Sequence, residues 1–237
     1  MATKDWYSEW FDSKYYHLLY KNRDESEAEF FITNLISFLK PSKTNHILDL
    51  ACGKGRHSKF LFDNGLKVTG VDLSANSISF ANRLRSNRLK YSVHDMRKVF
   101  LSNEFDFVFN LFTSFGYFNS PIDNQKVLSA IDVQLKKNGI LVLDYLNANK
   151  VRDTLVPNEI ITNGGVEFNI NRRISDGNVY KKIEFEADDH IYSFEERVEL
   201  LELNDFKLHI DATSLRLIHT FGSYDLKDFQ PDESDRL

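Results

Sequence analysis

The stretch His46-Ile-Leu-Asp-Leu-Ala-Cys-Gly-Lys-Gly-Arg-His57 decides the fold. Its first five residues form a short apolar run, the pattern of a strand buried on both faces of a parallel sheet. The run leads into Asp49-Leu-Ala-Cys-Gly-Lys-Gly55, where two glycines let the backbone approach a ligand and the next helix offers free N–H groups. A plain strand-to-helix turn would read the same way, so the loop alone does not choose among nucleotide ligands. Its surroundings narrow the choice. A dinucleotide-binding loop carries a third glycine that lets helix and strand pack closely. Here Gly53-Lys-Gly55 is followed by Arg56, His57 and Ser58, and an acid, Asp49, precedes the loop. A carboxylate there suits a ligand with a cationic amino-acid end better than a pyrophosphate.

Outward from this turn, strands and helices alternate. Upstream, Phe30, Phe31, Leu35, Ile36 and Leu39 recur at helical spacing, so Ser26 to Leu39 is a helix that stops before Pro41. Downstream, Ser58 to Asn64 is a helix closed by Gly65, and Lys67 to Val71 is a strand. Ala75 to Ser86 is a helix capped by Ser74, followed by strands at Lys90 to Val93 and Phe105 to Leu111. Asp123 to Leu135 is helical, and Gly139 to Tyr145 is a fifth strand. Such alternation predicts crossover units, hence an α/β fold with a doubly wound, mainly parallel, Rossmann-like sheet.

After about Ala148 the period changes to two. Val166 to Ile174, Val179 to Phe185 and His190 to Leu203 alternate apolar and polar residues, with hairpin signals at Ser175-Asp-Gly-Asn178 and at Asp188-Asp189. This predicts an inserted antiparallel sheet. Asn204 to Ala212 reads as a helix and Leu215 to Phe221 as a returning strand.

Composition sets the outer limits. With 237 residues, 42% of them hydrophobic, the chain is long enough for a sizeable core plus an appendage. A net charge of −5 gives no electrostatic footprint for nucleic acid, and Arg83, Arg85, Arg88 and Lys90 read as a solvated helix face. One cysteine, Cys52, excludes an internal disulfide and a multi-cysteine metal site, and no metal is expected. No apolar run reaches the ~20 residues of a membrane span, and Met1 to Trp10 is unlike a secretory signal. The expectation is a cytoplasmic protein without membrane partners.

Three carboxylates organise the site. Asp49, Asp72 in Val71-Asp-Leu73, and Asp95 in His94-Asp-Met96 end three successive strands on one rim, where open α/β sheets bind ligands. An acid at the end of the second strand accepts hydrogen bonds from ribose hydroxyls.

The ordered runs I-L-D-L-A-C-G-K-G-R-H-S, V-T-G-V-D-L-S, H-D-M-R, F-D-F-V-F-N-L-F-T-S-F-G-Y-F and L-K-K-N-G-I-L-V-L-D resemble the class I S-adenosylmethionine-dependent methyltransferases over Ile47 to Tyr145. H-D-M-R and S-F-G-Y-F are most similar to small-molecule N-methyltransferases acting on amino sugars or glycine. The resemblance implies S-adenosyl-L-methionine as cofactor. Asp49, Ala51, Gly53 and Gly55 would line its methionine part, with Arg56 and His57 beside them. Asp72 would hold the ribose and Leu73 the adenine face; Asp95 and the Met96 backbone would read the adenine edge. Asn110 and Leu111 would lie beside the sulfonium. The N-terminal segment would fold over the cofactor and bring Tyr16, Tyr20 or Arg23 to the methionine carboxylate.

Thr113 to Phe118 would line the acceptor pocket, with Tyr117 as first choice for a catalytic contact, since methyl transfer chiefly requires alignment of the acceptor. The implied organisation is an N-terminal helical lid (1–45), a cofactor-binding core (46–148), an antiparallel β insertion (149–203) and a return to the core sheet (204–237). The partner would be a small-molecule methyl acceptor, and the insertion offers a homodimer surface or a substrate wall. Arg172, Arg173, Lys181 and Lys182 there read as a solvated face, with an anion site as the alternative. Two other readings stay open: an NAD(P)-dependent oxidoreductase, which the missing glycine and Asp49 disfavour, and a non-catalytic cofactor-binding module.

Overall fold

The computed structural model describes residues 6–21 and 25–237. Two short helices, α1 (Trp6–Trp10) and α2 (Lys14–Leu19), precede the longer α3 (Glu25–Leu39). The core then alternates β1 (His46–Leu50), α4 (Arg56–Asp63), β2 (Lys67–Asp72), α5 (Ala75–Ala81), β3 (Leu89–Val93), β4 (Phe105–Asn110), α6 (Pro121–Gln134) and β5 (Leu135–Leu143). The sheet order is β3-β2-β1-β4-β5, parallel throughout. The expected doubly wound α/β sheet is therefore present.

Period-two geometry explains why the strands are apolar on both faces. Ile47, Val68, Leu89 and Phe109 face one layer with Phe31, Ile32 and Leu35 of α3, Leu61 of α4 and Ile78 of α5. Leu48, Leu50, Val71 and Val108 face the other, with Val127, Leu128 and Ile131 of α6. Strand order reverses between β1 and β4, which places a crevice at their carboxyl ends.

Beyond α7 (Ala148–Thr154) comes a separate antiparallel sheet of β6 (Asn158–Asn163), β7 (Val166–Ser175), β8 (Asn178–Ala187) and β9 (His190–Glu199), followed by α8 (Leu203–Asp211). Its inner face, with Phe168, Ile170, Ile183 and Phe185, packs on Trp10, Tyr15 and Leu19 of the N-terminal helices. Side-chain bonds fasten the same pair of units. Trp10 Nε1 and Tyr20 Oη both donate to Glu196 at 2.6 and 2.7 Å, and Tyr15 Oη donates to Asp188 at 2.8 Å.

The structure departs from the sequence reading in several places. Strand β6 and helix α7 carry weak local patterns and were not expected. Helix α5 ends at Ala81, with one 3-10 turn to Leu84, because Arg85 turns extended. Residues 215–221 form no strand: Phe221 makes one isolated bridge with Asp228, while Arg236 bridges Leu146 beside the end of β5. The alternation of 215–221 is thus not matched by a neighbouring strand. Arg172 pairs with Glu159, Arg173 with Glu195 and Lys182 with Glu184, and Lys181 donates to Tyr20. The basic residues of the insertion thus meet acidic side chains of the same sheet or Tyr20 of the N-terminal segment rather than being gathered into an anion site.

Candidate functional site

The turn after β1 runs through three left-handed residues, Ala51 (φ 65°), Gly53 (φ 54°) and Gly55 (φ 82°). For alanine this conformation costs about 1 kcal/mol or more, so something must hold it. Cys52 N–H donates to Val71 O at 3.0 Å and Gly53 N–H to Asp72 Oδ2 at 2.8 Å. The other carboxylate oxygen, Oδ1, accepts the Ser74 N–H at 2.8 Å. Asp72 thus ties the glycine loop to the start of α5 while keeping acceptor capacity on each oxygen for a ligand. Burial pushes its carboxyl above the ordinary value, against these backbone bonds.

A cavity of about 330 Å³ opens over this loop, within the range of small-molecule sites. Of the expected residues, Tyr16, Ala51, Gly53, Arg56, His57, Asp72, Leu73, Asp95, Met96, Leu111 and Tyr117 line it. A side chain on Gly53 would meet nothing within 4 Å, so the loop leaves open space there. Asp95 faces the cavity from the end of β3 but is gripped by Arg97, whose Nε and Nη2 approach it at 3.0 and 2.8 Å. Burial alone would raise its carboxyl, yet the Arg97 bonds and charge outweigh it and hold the carboxyl low.

Three expected residues stand one layer behind the wall. Asp49 is 2% exposed and accepts from Ser58 Oγ at 2.5 Å. Burial pushes its carboxyl up to about 6 although the Ser58 bond opposes this. Gly55 caps α4 over the Tyr91 ring, with Tyr91 Oη donating to its carbonyl at 3.2 Å. Asn110 is fully buried; Nδ2 donates to Leu50 O at 3.0 Å, and Oδ1 is a buried acceptor with no hydrogen-bond partner. Arg23 lies outside the described residues. Tyr117 lines the cavity, with its hydroxyl donating to Thr113 O at 2.5 Å.

Several lining residues were not singled out from sequence. His17 of α2 faces the cavity, its imidazole pushed down to about 4 by burial, with Lys54 adding to that and Asp12 opposing it. It is neutral at pH 7. Asp12, between α1 and α2, accepts from Ser74 Oγ at 2.5 Å and from Asn76 Nδ2 at 2.6 Å, clamping the N-terminal helices to α5 beside Asp72. Only an acid in a polar loop marked it in the sequence. Phe112 (φ 56°) stacks on His57 at 4.7 Å and 18°. With Arg56 and Tyr117 it separates the first cavity from a second of about 410 Å³, walled also by Glu27, Thr113, Tyr224 and Arg236. His190, His209 and His219 lie away from both cavities, engaged with Asp188 O, Gln125 and Phe221 respectively.

Residues 47–139 match the methyltransferase domain family. Over 153 residues the chain is 35% identical to a glycine/sarcosine N-methyltransferase of Aphanothece halophytica, covering 62% of this chain and 56% of that protein. A second glycine/sarcosine N-methyltransferase, from Parasynechococcus marenigrum, is 36% identical over 54% of this chain and 46% of its own length. The chain spans about half the length of these curated relatives. The fold is shared more widely. An S-adenosylmethionine-dependent methyltransferase structure from Clostridium acetobutylicum superposes with a TM-score of 0.78 at 21% identity, covering 94% of this chain and 93% of the other. No helix among the described residues is long and apolar enough to cross a membrane. Residues 47–139 are thus similar to the methyltransferase domain family, and the chain around them has the fold of solved S-adenosylmethionine-dependent methyltransferases.

Proposed function

We propose that the chain moves the methyl group of S-adenosyl-L-methionine to nitrogen on a small-molecule acceptor. The observation that carries this reading is the cavity over Gly53 and Asp72, whose lining also includes Asp95, Met96, Phe112 and Tyr117. The residues suit the cofactor. Asp72 offers acceptors for two ribose hydroxyls, Asp95 and Met96 stand at the adenine end, and the open space at Gly53 admits the methionine part.

When bound, the cofactor supplies a methyl group already activated on a sulfonium. The chain's own work is alignment and exclusion of water. Tyr7, Phe11, Tyr117 and Phe118 line the cavity as two edge-on aromatic pairs, Tyr7 with Phe118 and Phe11 with Tyr117. Tyr117 Oη, fixed on Thr113 O, presents a phenolic oxygen to an acceptor amine. His17 is a neutral imidazole in the same cavity; held at about 4, it is a hydrogen-bond partner for an acceptor amine rather than its base. The relatives named for glycine, sarcosine and an amino sugar support nitrogen as the acceptor atom. The domain match favours this reading over a dinucleotide-dependent oxidoreductase.

A homodimer through the antiparallel sheet and a cytoplasmic location belong to the same proposal, the former checked by sedimentation. The central test is isothermal titration with S-adenosylhomocysteine, where absence of binding at high protein concentration overturns the cofactor assignment. Labelled-methyl transfer to glycine, sarcosine and an aminohexose follows. Binding without transfer to any metabolite of a cell extract would leave a non-catalytic cofactor-binding module.

A further inference from the structure

We infer that Asp144 and Arg236 are positioning residues that hold the wall between the two cavities. The inference rests on the reading of the first cavity as the cofactor site. The chain leaves β4 through a corner at Phe112 and Thr113, two consecutive non-glycine residues that both stand at φ 56°. Such a pair does not persist unless its surroundings over-determine it. Asp144, just past β5, supplies that hold. Its Oδ2 accepts the Phe112 N–H at 2.6 Å, its carbonyl accepts the Thr113 N–H at 3.2 Å, and its own N–H donates to Asn110 O at 2.9 Å.

Arg236 locks the carboxylate from the far side. Nε and Nη2 meet Oδ1 and Oδ2 at 2.9 Å each, the fork geometry that only arginine offers, and Nη2 also donates to Thr113 Oγ1 at 2.8 Å. The consequence is the placement of Phe112. Its ring stacks on His57, packs on Tyr224 at 5.3 Å and lines both cavities. Three bonds to residues distant in sequence thus converge on the single corner that carries this ring. Nothing in the local sequence, Leu111-Phe-Thr-Ser114, prefers the left-handed conformation.

The test is amide exchange by mass spectrometry on the full chain, combined with titration by S-adenosylhomocysteine. Arg236→Met is expected to speed exchange across 112–118 at least tenfold while β1 and β2 keep their protection, and to weaken S-adenosylhomocysteine severalfold. Arg236→Lys keeps the charge but loses the fork, and is expected to restore only part of both. Unchanged exchange at 112–118, or a uniform rise through the sheet, overturns the inference. Should Arg236→Met not fold, the Arg236→Lys and Asp144→Asn exchange patterns decide by the same criterion. Failure of the unaltered chain to bind S-adenosylhomocysteine overturns the cofactor reading instead, and the exchange at 112–118 still decides whether the pair holds the corner.

Discussion

Ser58 stands three residues after Gly55, where a dinucleotide fold keeps its third glycine, and its hydroxyl donates to Asp49 at 2.5 Å. The space that glycine would provide comes from the neighbouring strand. A Cβ on Gly70 of β2 would lie 2.8 Å from Ser58 Oγ, 2.8 Å from Cys52 Sγ and 2.7 Å from the Tyr91 ring. Close packing of α4 on the sheet is therefore kept, while the acid and hydroxyl pair replaces a bare turn.

Gly70→Ala tests this directly. The added methyl has no room, and overpacking of a tight core costs about 1–3 kcal/mol. Urea unfolding should show that loss with an unchanged slope. A stability equal to the parent would mean that helix and strand are not in such close contact.

Asp49 sets a pH dependence. Its carboxyl stands at about 6 in the folded chain against an ordinary value of 3.8. Between those values the folded chain holds a proton that the unfolded chain has released, so stability falls as pH rises from about 4 to about 6. Above that, the full cost of burying the charge is present, roughly 2–3 kcal/mol. Asp49→Asn should remove this fall. Urea midpoints of both proteins at pH 4.5 and 7.5 check it, and parallel curves would refute it.

Asp72→Ala should weaken S-adenosylhomocysteine binding by about 1–3 kcal/mol, since it deletes acceptors for the ribose and releases the Gly53 and Ser74 N–H groups. Isothermal titration reads the change. An affinity equal to the parent would take Asp72 out of the ligand contacts.

Asp12→Ala should act on kinetics. Ser74 and Asn76 lose their shared acceptor, and the N-terminal helices lose their fastening beside the site. Ligand release should quicken, with affinity down by about 1 kcal/mol. Stopped-flow displacement of a fluorescent cofactor analogue measures it. An unaltered release rate would show that these helices do not govern escape.

The sequence by itself determined the parallel core and the rim of the site. Those features rest on local signals: unbroken apolar runs, a glycine turn, caps such as Ser74, and an acid at the ends of three successive strands. What only the tertiary structure decided came from residues far apart in the chain. Asp49 looked like a ligand contact and became a buried partner of Ser58 because α4 turns back over the strand end. Asp12 and His17 joined the site because α1 and α2 bury Trp10, Tyr15 and Leu19 on the antiparallel sheet, which holds them over the cavity. Alternation at 215–221 formed no strand, since a strand needs a neighbour to complete its hydrogen bonds and none lies alongside it. The glycine loop at 53–55 remains the point from which both parts are read: its conformation follows from its own residues, and its hold on Asp72 from the sheet.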